Sequence, residues 1–73
     1  MNSWSVALFH TTSAALRAER LLKRAGLTVK LIPTPRELSS ECGLALRFSP
    51  HHADEVDALL KDAGIDVAGI YAI

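Results

Sequence analysis

Cys42 is the residue with the clearest chemical potential, because a thiolate is a nucleophile and the chain has one cysteine. Gly43 follows it and has no Cβ that would hinder a bulky reagent approaching the sulfur. Free cysteine has a pKa of about 8.5, and that pKa falls beside cationic groups and helix N-termini. Arg36 could supply such a cation, or it could pair with Glu37 or Glu41 instead. The pattern predicts either a reactive thiol or a small hydrophobic residue that begins a strand.

Three further polar residues could assist this thiol. Ser39 and Ser40 could donate hydrogen bonds to a sulfur anion, although serines in such a segment also cap short turns. His10 could act as a base toward Cys42, or it could be a bystander at the end of a strand. A zinc or copper site would need His10 and Cys42 plus ligands from a second chain, so no metal site is predicted within one chain.

The segment around Cys42 joins two similar halves of the chain. Residues 6–32 align with residues 44–70 at a constant offset of 38, with ten identities in 27 positions. The segment between them, residues 33–43, is called the connector below, and the repeat does not account for it. Because loops on a rigid scaffold often carry function, the connector is the predicted functional segment. The identical pairs are Ala7/Ala45, Leu8/Leu46, Ala15/Ala53, Leu21/Leu59, Leu22/Leu60, Lys23/Lys61, Ala25/Ala63, Gly26/Gly64, Val29/Val67 and Ile32/Ile70.

Composition narrows the class of protein. The 73 residues suffice for one domain, residues 1–73, and 49% of them are hydrophobic, which is typical of a globular chain. Eight basic and eight acidic side chains cancel, which argues against a nucleic-acid partner. We expect no membrane span and no signal peptide. A single cysteine calls for no oxidising compartment, so the expected location is the cytoplasm. No phosphate loop or catalytic triad is visible, and we expect no cofactor.

Hydrophobic periodicity predicts two β-α-β units. One hydroxyl among residues 11–13 should cap the first helix, and Ser49 with Pro50 should begin the second. Gly26 and Gly64 should end the two helices. The predicted strands are Ser5–His10, Val29–Ile32, Leu44–Phe48 and Val67–Ala72. The predicted buried stripes are Ala14, Ala18, Leu21, Leu22 and Ala25 in the first helix, and Ala53, Val56, Leu59, Leu60 and Ala63 in the second.

This order of elements predicts an α+β, ferredoxin-like split β-α-β fold: a four-stranded antiparallel sheet of order 4-1-3-2 with two helices on one face. A parallel sheet is the alternative, which the short connector with two prolines disfavours. In the favoured fold Cys42 and His10 lie at one end of the sheet. His51 and His52 begin the second helix at the other end, so these four residues cannot form one zinc site.

A basic stripe on the first helix faces an acid-rich second helix. Arg17, Arg20 and Arg24 form this stripe, which predicts a solvated or salt-bridged surface, with docking of a partner as the alternative.

The connector and the strands beside it resemble a known family. The run from Lys30 to Phe48, above all Pro-Thr-Pro-Arg-Glu followed by Ser-Ser-Glu-Cys-Gly, is similar to a small bacterial family of selenium or sulfur (Se/S) carrier-like proteins. The similarity continues from the first strand to Gly69-Ile70-Tyr71. The prolines precede the cysteine, unlike the Cys-Pro-x-Pro motif of other small sulfur-relay carriers.

The resemblance implies a carrier rather than an enzyme. Such a protein would hold sulfur or selenium on Cys42 as a persulfide or selenosulfide, and would exchange it with donor and acceptor proteins. The residues expected to support Cys42 are Arg36, Gly43, Ser39, Ser40, Thr34 and His10.

A regulatory or interaction module is the alternative function. It would form a homodimer through the sheet face that the helices leave open, by analogy with other ferredoxin-like domains. That face is predicted to carry Ala7, Phe9, Ala45, Arg47 and Tyr71.

Overall fold

A computed structural model describes residues 3–38 and 43–73 of the chain. Its elements follow the predicted β-α-β, connector, β-α-β order. They are β1 (Ser5–Phe9), α1 (Thr12–Arg24), β2 (Val29–Pro33), β3 (Leu44–Phe48), a 3₁₀ turn (Pro50–His52), α2 (Ala53–Asp62) and β4 (Val67–Ala72).

The four strands form one antiparallel sheet of order β2-β3-β1-β4. The register pairs Leu8 of β1 with Ala45 of β3, and Ile32 of β2 with the same alanine. Strands β1 and β2 therefore run in one direction, while β3 and β4 run in the other. This arrangement confirms the predicted α+β, ferredoxin-like fold.

The helix ends follow local rules of capping. Thr11 is the N-cap of α1, and its hydroxyl oxygen accepts a hydrogen bond of 3.1 Å from the Ala14 N–H. Ser49 caps the 3₁₀ turn that leads into α2. Gly26 and Gly64 follow the C-caps with φ of 86° and 71°, a conformation that only glycine adopts without strain. The glycines therefore stop both helices where the sequence predicts.

Both helices pack on one face of the sheet. The buried residues of this core come from β1, β2, β3, both helices and the turn before β4. Two alanines predicted in the buried stripes, Ala25 and Ala63, are exposed because they are the C-caps, while Ala15, which the stripe omitted, is fully buried. The core residues are Ala7, Phe9, Ala15, Ala18, Leu22, Val29, Leu46, Phe48, Val56, Leu60 and Ile65.

The other face of the sheet carries a second, smaller cluster. Val6, Leu8 and Ala45 form it, and Ile32 and Leu38 pack against it.

The prediction that Ala7 and Phe9 lie on this second face is wrong, because both pack against the helices. Every residue of β1 is buried, and the four residues from Val6 to Phe9 are all apolar, so alternation along them does not indicate which side faces the helices. Neither helix of the described residues has the length and apolar character that a membrane span requires.

Candidate functional site at the connector end of the sheet

The connector lies where β1 and β2 end and β3 begins. His10 follows the last residue of β1, and Gly43 precedes the first residue of β3. Because β1 and β3 are antiparallel neighbours, these two residues are at the same end of the sheet. Thr11, which begins α1, is at that end as well. The structure thus brings together the segments that the sequence predicts at this end.

Main-chain pairing closes the base of the connector. Pro33, the last residue of β2, pairs with Leu44. One residue further out, the Thr34 N–H donates a hydrogen bond of 3.0 Å to the Gly43 carbonyl oxygen. The chain between Thr34 and Gly43 therefore leaves the sheet and returns to it at one point, so both ends of the segment are held by the strands.

The first half of the connector folds over the sheet. The Leu38 N–H donates a hydrogen bond of 3.0 Å to the Pro35 carbonyl oxygen, which closes a turn with Arg36 and Glu37 at its two central positions. Both central residues are exposed. The Leu38 side chain packs against the smaller cluster of the sheet. This leucine anchors the turn, and the anchored turn presents the Arg36 guanidinium to solvent, where it can meet an anion.

Three of the predicted site residues, Cys42, Ser39 and Ser40, lie outside the described residues. Gly43, the next residue along the chain, is exposed. Apart from atoms of Gly43 and its chain neighbours, a Cβ built on Gly43 meets no described atom within 4 Å, and the backbone there does not have a positive φ. Neither a steric clash with the described residues nor the backbone conformation therefore requires glycine at position 43.

The histidines lie at two ends of the molecule. His10 is exposed at the connector end. His51 and His52 lie at the opposite end, because β3 runs away from the connector before the 3₁₀ turn. The Nδ1 atom of His52 is 3.5 Å from Oε1 of Glu55, which is an exposed pair. Within residues 3–38 and 43–73, no three His, Cys, Asp or Glu side chains cluster as a metal site requires.

An aromatic and a cationic side chain are in contact on the sheet face against which Leu38 packs. The guanidinium carbon of Arg47 lies 4.2 Å from the centre of the Trp4 ring. The Arg47 Nε atom is buried and has no hydrogen-bond partner among the described residues. Arg47 and Val6 are directly opposite each other in the β1–β3 register. The long side chain of Arg47 therefore takes the place of a hydrophobic cover on this part of the face.

The basic stripe on α1 borders a shallow groove. Arg17, Arg20 and Arg24 are exposed and line a concavity of about 180 Å³ whose other walls include Ala63 and Ile65. None of the three arginines forms an ion pair within the described part of the chain. The groove lies on the helix layer, on the other face of the sheet from Leu38.

Sequence reasoning missed how the connector is held. Leu38 is the only large apolar side chain between the two strands that the connector joins, which is a signal that it is buried. The partner surface could not be assigned, because it is formed by β1, β2 and β3 together.

Comparison of the sequence with models of known protein families finds a match to one family. The model of the family described as "Putative Se/S carrier protein-like" matches residues 5–72, from the first residue of β1 to the last of β4. Searches of curated proteins and of solved structures returned no significant match. The match covers both β-α-β units and the connector, and on this evidence the chain belongs to the Se/S carrier-like family.

Proposed function

We propose that the protein carries sulfur or selenium on Cys42 and passes it between a donor and an acceptor protein. The match to the Se/S carrier-like family over residues 5–72 carries this proposal. The position of the connector supports it, because a segment held at both ends by strands can present a reactive group to another protein. The exposed Arg36 on the anchored turn adds a cation within the same segment.

The transfer needs no oxidant or reductant. The Cys42 thiolate attacks the outer sulfur of a persulfide on the donor protein. The bond between the two donor sulfurs breaks, and the donor leaves as a thiolate. Cys42 then carries the persulfide, and an acceptor nucleophile removes the outer sulfur in the same way. A selenosulfide follows the same course with selenium as the transferred atom.

The supporting residues have distinct proposed roles. A cation favours the charged form of a thiol or persulfide, which is the role proposed for Arg36. Ser39 and Ser40 would donate hydrogen bonds to the anionic sulfur, and the Thr34 N–H holds the loop base through the Gly43 carbonyl. His10 would accept the proton from the thiol.

Mass spectrometry of the intact protein tests the central role of Cys42. The protein is incubated with a persulfide-bearing donor protein, and its mass should rise by one sulfur atom. The Cys42→Ser variant should gain nothing. Loading of the serine variant to the same extent would contradict the proposal.

A displaced thiol provides the matched control. Ala58 is exposed on α2, away from the connector. The double variant Cys42→Ser, Ala58→Cys has one exposed cysteine in a different setting. We expect it to load at least about tenfold more slowly than the native protein, since a general thiol lacks the cation of the connector. Equal rates would mean that any exposed thiol accepts the sulfur, and that the connector has no special role.

The alternative function, an interaction module that dimerises through the sheet face that the helices leave open, gains little support from the centre of that face. Its dimer would need exposed apolar side chains on the sheet face that the helices leave open. Val6, Leu8 and Ala45 on that face are at most 2% exposed within one chain. The centre of this face therefore offers little apolar area to a partner, and its exposed hydrophobic side chains, Tyr71 and Ile73, lie at the β4 edge.

A further inference from the structure

The two edge strands of the sheet, β2 and β4, differ in the features that prevent pairing with a further strand. Strand β2 carries an exposed Lys30 and ends at Pro33, and both residue types discourage pairing with another strand. Strand β4 is the longest strand and contains neither a charged residue nor a proline. An edge strand without a charged residue or a proline can pair with a further strand.

Exposed hydrophobic side chains are concentrated at the same edge. Three large hydrophobic side chains of the described residues are exposed: Leu16 at 41%, Tyr71 at 44% and Ile73 at 45%. Two of these three belong to β4 or directly follow it. Tyr71 lies opposite Val6, which places it on the sheet face away from the helices. Because side chains alternate along a strand, Ile73 is on that same face.

The hydrogen-bond pattern shows which main-chain groups of β4 are available. The Ile73 N–H donates to the Trp4 carbonyl oxygen at 2.9 Å, and the Trp4 N–H donates to the Ile73 carbonyl oxygen at 3.4 Å. Bonded and non-bonded pairs alternate in antiparallel strands, so Tyr71 also bonds toward β1. The N–H and C=O groups of Ile70 and Ala72 point the other way, toward the free edge.

We propose that the protein forms a homodimer in which β4 pairs antiparallel with β4 of a second copy, around a two-fold axis at Tyr71. In this register Ile70 bonds to Ala72 of the second copy, and Ala72 bonds to its Ile70, so the outward main-chain groups of both residues are satisfied. The result is one continuous eight-stranded sheet.

Side-chain packing supports this register. The two Tyr71 residues form a non-hydrogen-bonded pair at the axis, and each ring leans away from the axis over Gly69 of its own chain. Ile73 lies opposite Gly69 of the second copy. The Tyr71 ring covers its own Gly69, since a Cβ there would lie 2.6 Å from the ring. Ile73 therefore packs against the second copy's tyrosine, and both exposed hydrophobic residues become buried.

The bulge in β4 limits the pairing to this stretch. Leu8 pairs with Gly69 and Phe9 with Val67, so Ala68 is an extra residue between them. Residues 69–73 follow the bulge and form the regular part of the edge. The exposed Asp66 precedes the bulge and stays outside the paired stretch. Its charge therefore does not oppose association.

The mass of the native protein in solution tests the dimer. One chain has a mass of 7.9 kDa, and sedimentation equilibrium should give twice that mass. The Ala72→Pro variant removes an N–H that points to the free edge, which an edge strand tolerates. It should weaken association by at least about tenfold, since two symmetric hydrogen bonds are lost. Its thermal unfolding at low concentration should match that of Ala72→Ser, the control that keeps the N–H.

Cross-linking tests the register itself. In the Cys42→Ser background, Tyr71→Cys should form a disulfide-linked dimer on mild oxidation, because the Cα atoms of a non-hydrogen-bonded pair are about 4.5 Å apart. In the Ala72→Cys variant, each cysteine is opposite Ile70 of the second copy and two residues away from the other cysteine, so the two should not cross-link. A native protein that stays monomeric at all concentrations would overturn the proposal. So would a dimer that Ala72→Pro does not weaken, or one that Ala72→Cys links as readily as Tyr71→Cys.

Discussion

The two faces of the sheet are buried in different ways. On one face, two helices cover a core that includes the fully buried Phe9, Leu22 and Leu60. On the other face, Val6, Leu8 and Ala45 are covered by Ile32 and by Leu38 from the connector, and Trp4 and Arg47 are in contact on the same face. The first core is large and drawn from both repeats. The second depends on a few residues, and one of them belongs to the predicted functional segment.

This difference in burial implies that the two faces contribute unequally to the free energy of folding. The helix-side core should supply most of the free energy of folding, because it buries far more apolar surface. In its described part, residues 33–38, the connector contributes the half-buried Leu38 to the smaller cluster. A domain of this size has only about 3–5 kcal/mol of stability from its core. Changes on the two faces should therefore have clearly different costs.

The largest effect is expected from Leu22→Ala in the helix-side core. Leu22 is fully buried, and its truncation should lower the free energy of unfolding by about 2–5 kcal/mol, the cost of a buried cavity. Urea denaturation followed by circular dichroism measures the change. Leu16→Ala is the matched control, since Leu16 is on the same helix but exposed, and it should shift the free energy by less than about 0.5 kcal/mol. Equal effects of the two variants would contradict this description of the core.

A smaller effect is expected from Leu38→Ala on the other face. Leu38 is half-buried, so its truncation should cost about 1 kcal/mol of unfolding free energy. The turn at Arg36 should also lose its anchor, and proteolysis within residues 34–38 should become faster while α1 stays protected. A loss as large as that of Leu22→Ala would mean that the two faces contribute equally.

The smallest effect is expected from Arg47→Met. The change removes a cation–π contact worth about 0.5–1 kcal/mol, and it also removes a buried Nε that has no hydrogen-bond partner among the described residues. These terms oppose each other, so stability should change by less than about 0.5 kcal/mol. The fluorescence of Trp4, the only tryptophan, should change nevertheless. Arg17→Met, on the helix layer, should leave that fluorescence unchanged; a loss above about 2 kcal/mol for Arg47→Met would contradict the prediction.

The elements and topology could be predicted because local signals agree. Helical spacing, the Thr11 cap and the glycines at positions 26 and 64 all indicate the same boundaries. In β3 the single charged residue, Arg47, shows which side faces away from the helices. In β1 every residue from Val6 to Phe9 is apolar, so alternation gives no direction, and the prediction for Ala7 and Phe9 was wrong for that reason.

The repeat illustrates a second limit of sequence reasoning. At an offset of 38, Leu22 and Leu60 are both fully buried in the helix-side core. The same offset pairs Leu8 with Leu46, yet these two leucines face opposite sides of the sheet. Identity in this repeat therefore indicates equivalent positions in the helices but not in the first strand of each unit, β1 and β3. A shift of one residue reverses the face of a strand.

The connector could be singled out from the sequence but its anchoring could not. The repeat leaves residues 33–43 unexplained, and the strands bring this segment to the same end as His10. The burial of Leu38 depends on three strands that are distant in sequence. Contacts of this kind arise from the tertiary fold and leave little trace in local patterns.

The most direct test of the central claim is to locate the transferred atom. After incubation with a persulfide-bearing donor protein, the chain is alkylated, digested and analysed by mass spectrometry of its peptides. We expect one added sulfur on the peptide that contains Cys42, and no such addition in the Cys42→Ser variant. If the donor protein loses its persulfide sulfur while Cys42 stays unmodified, the proposal that this protein is a sulfur carrier is contradicted.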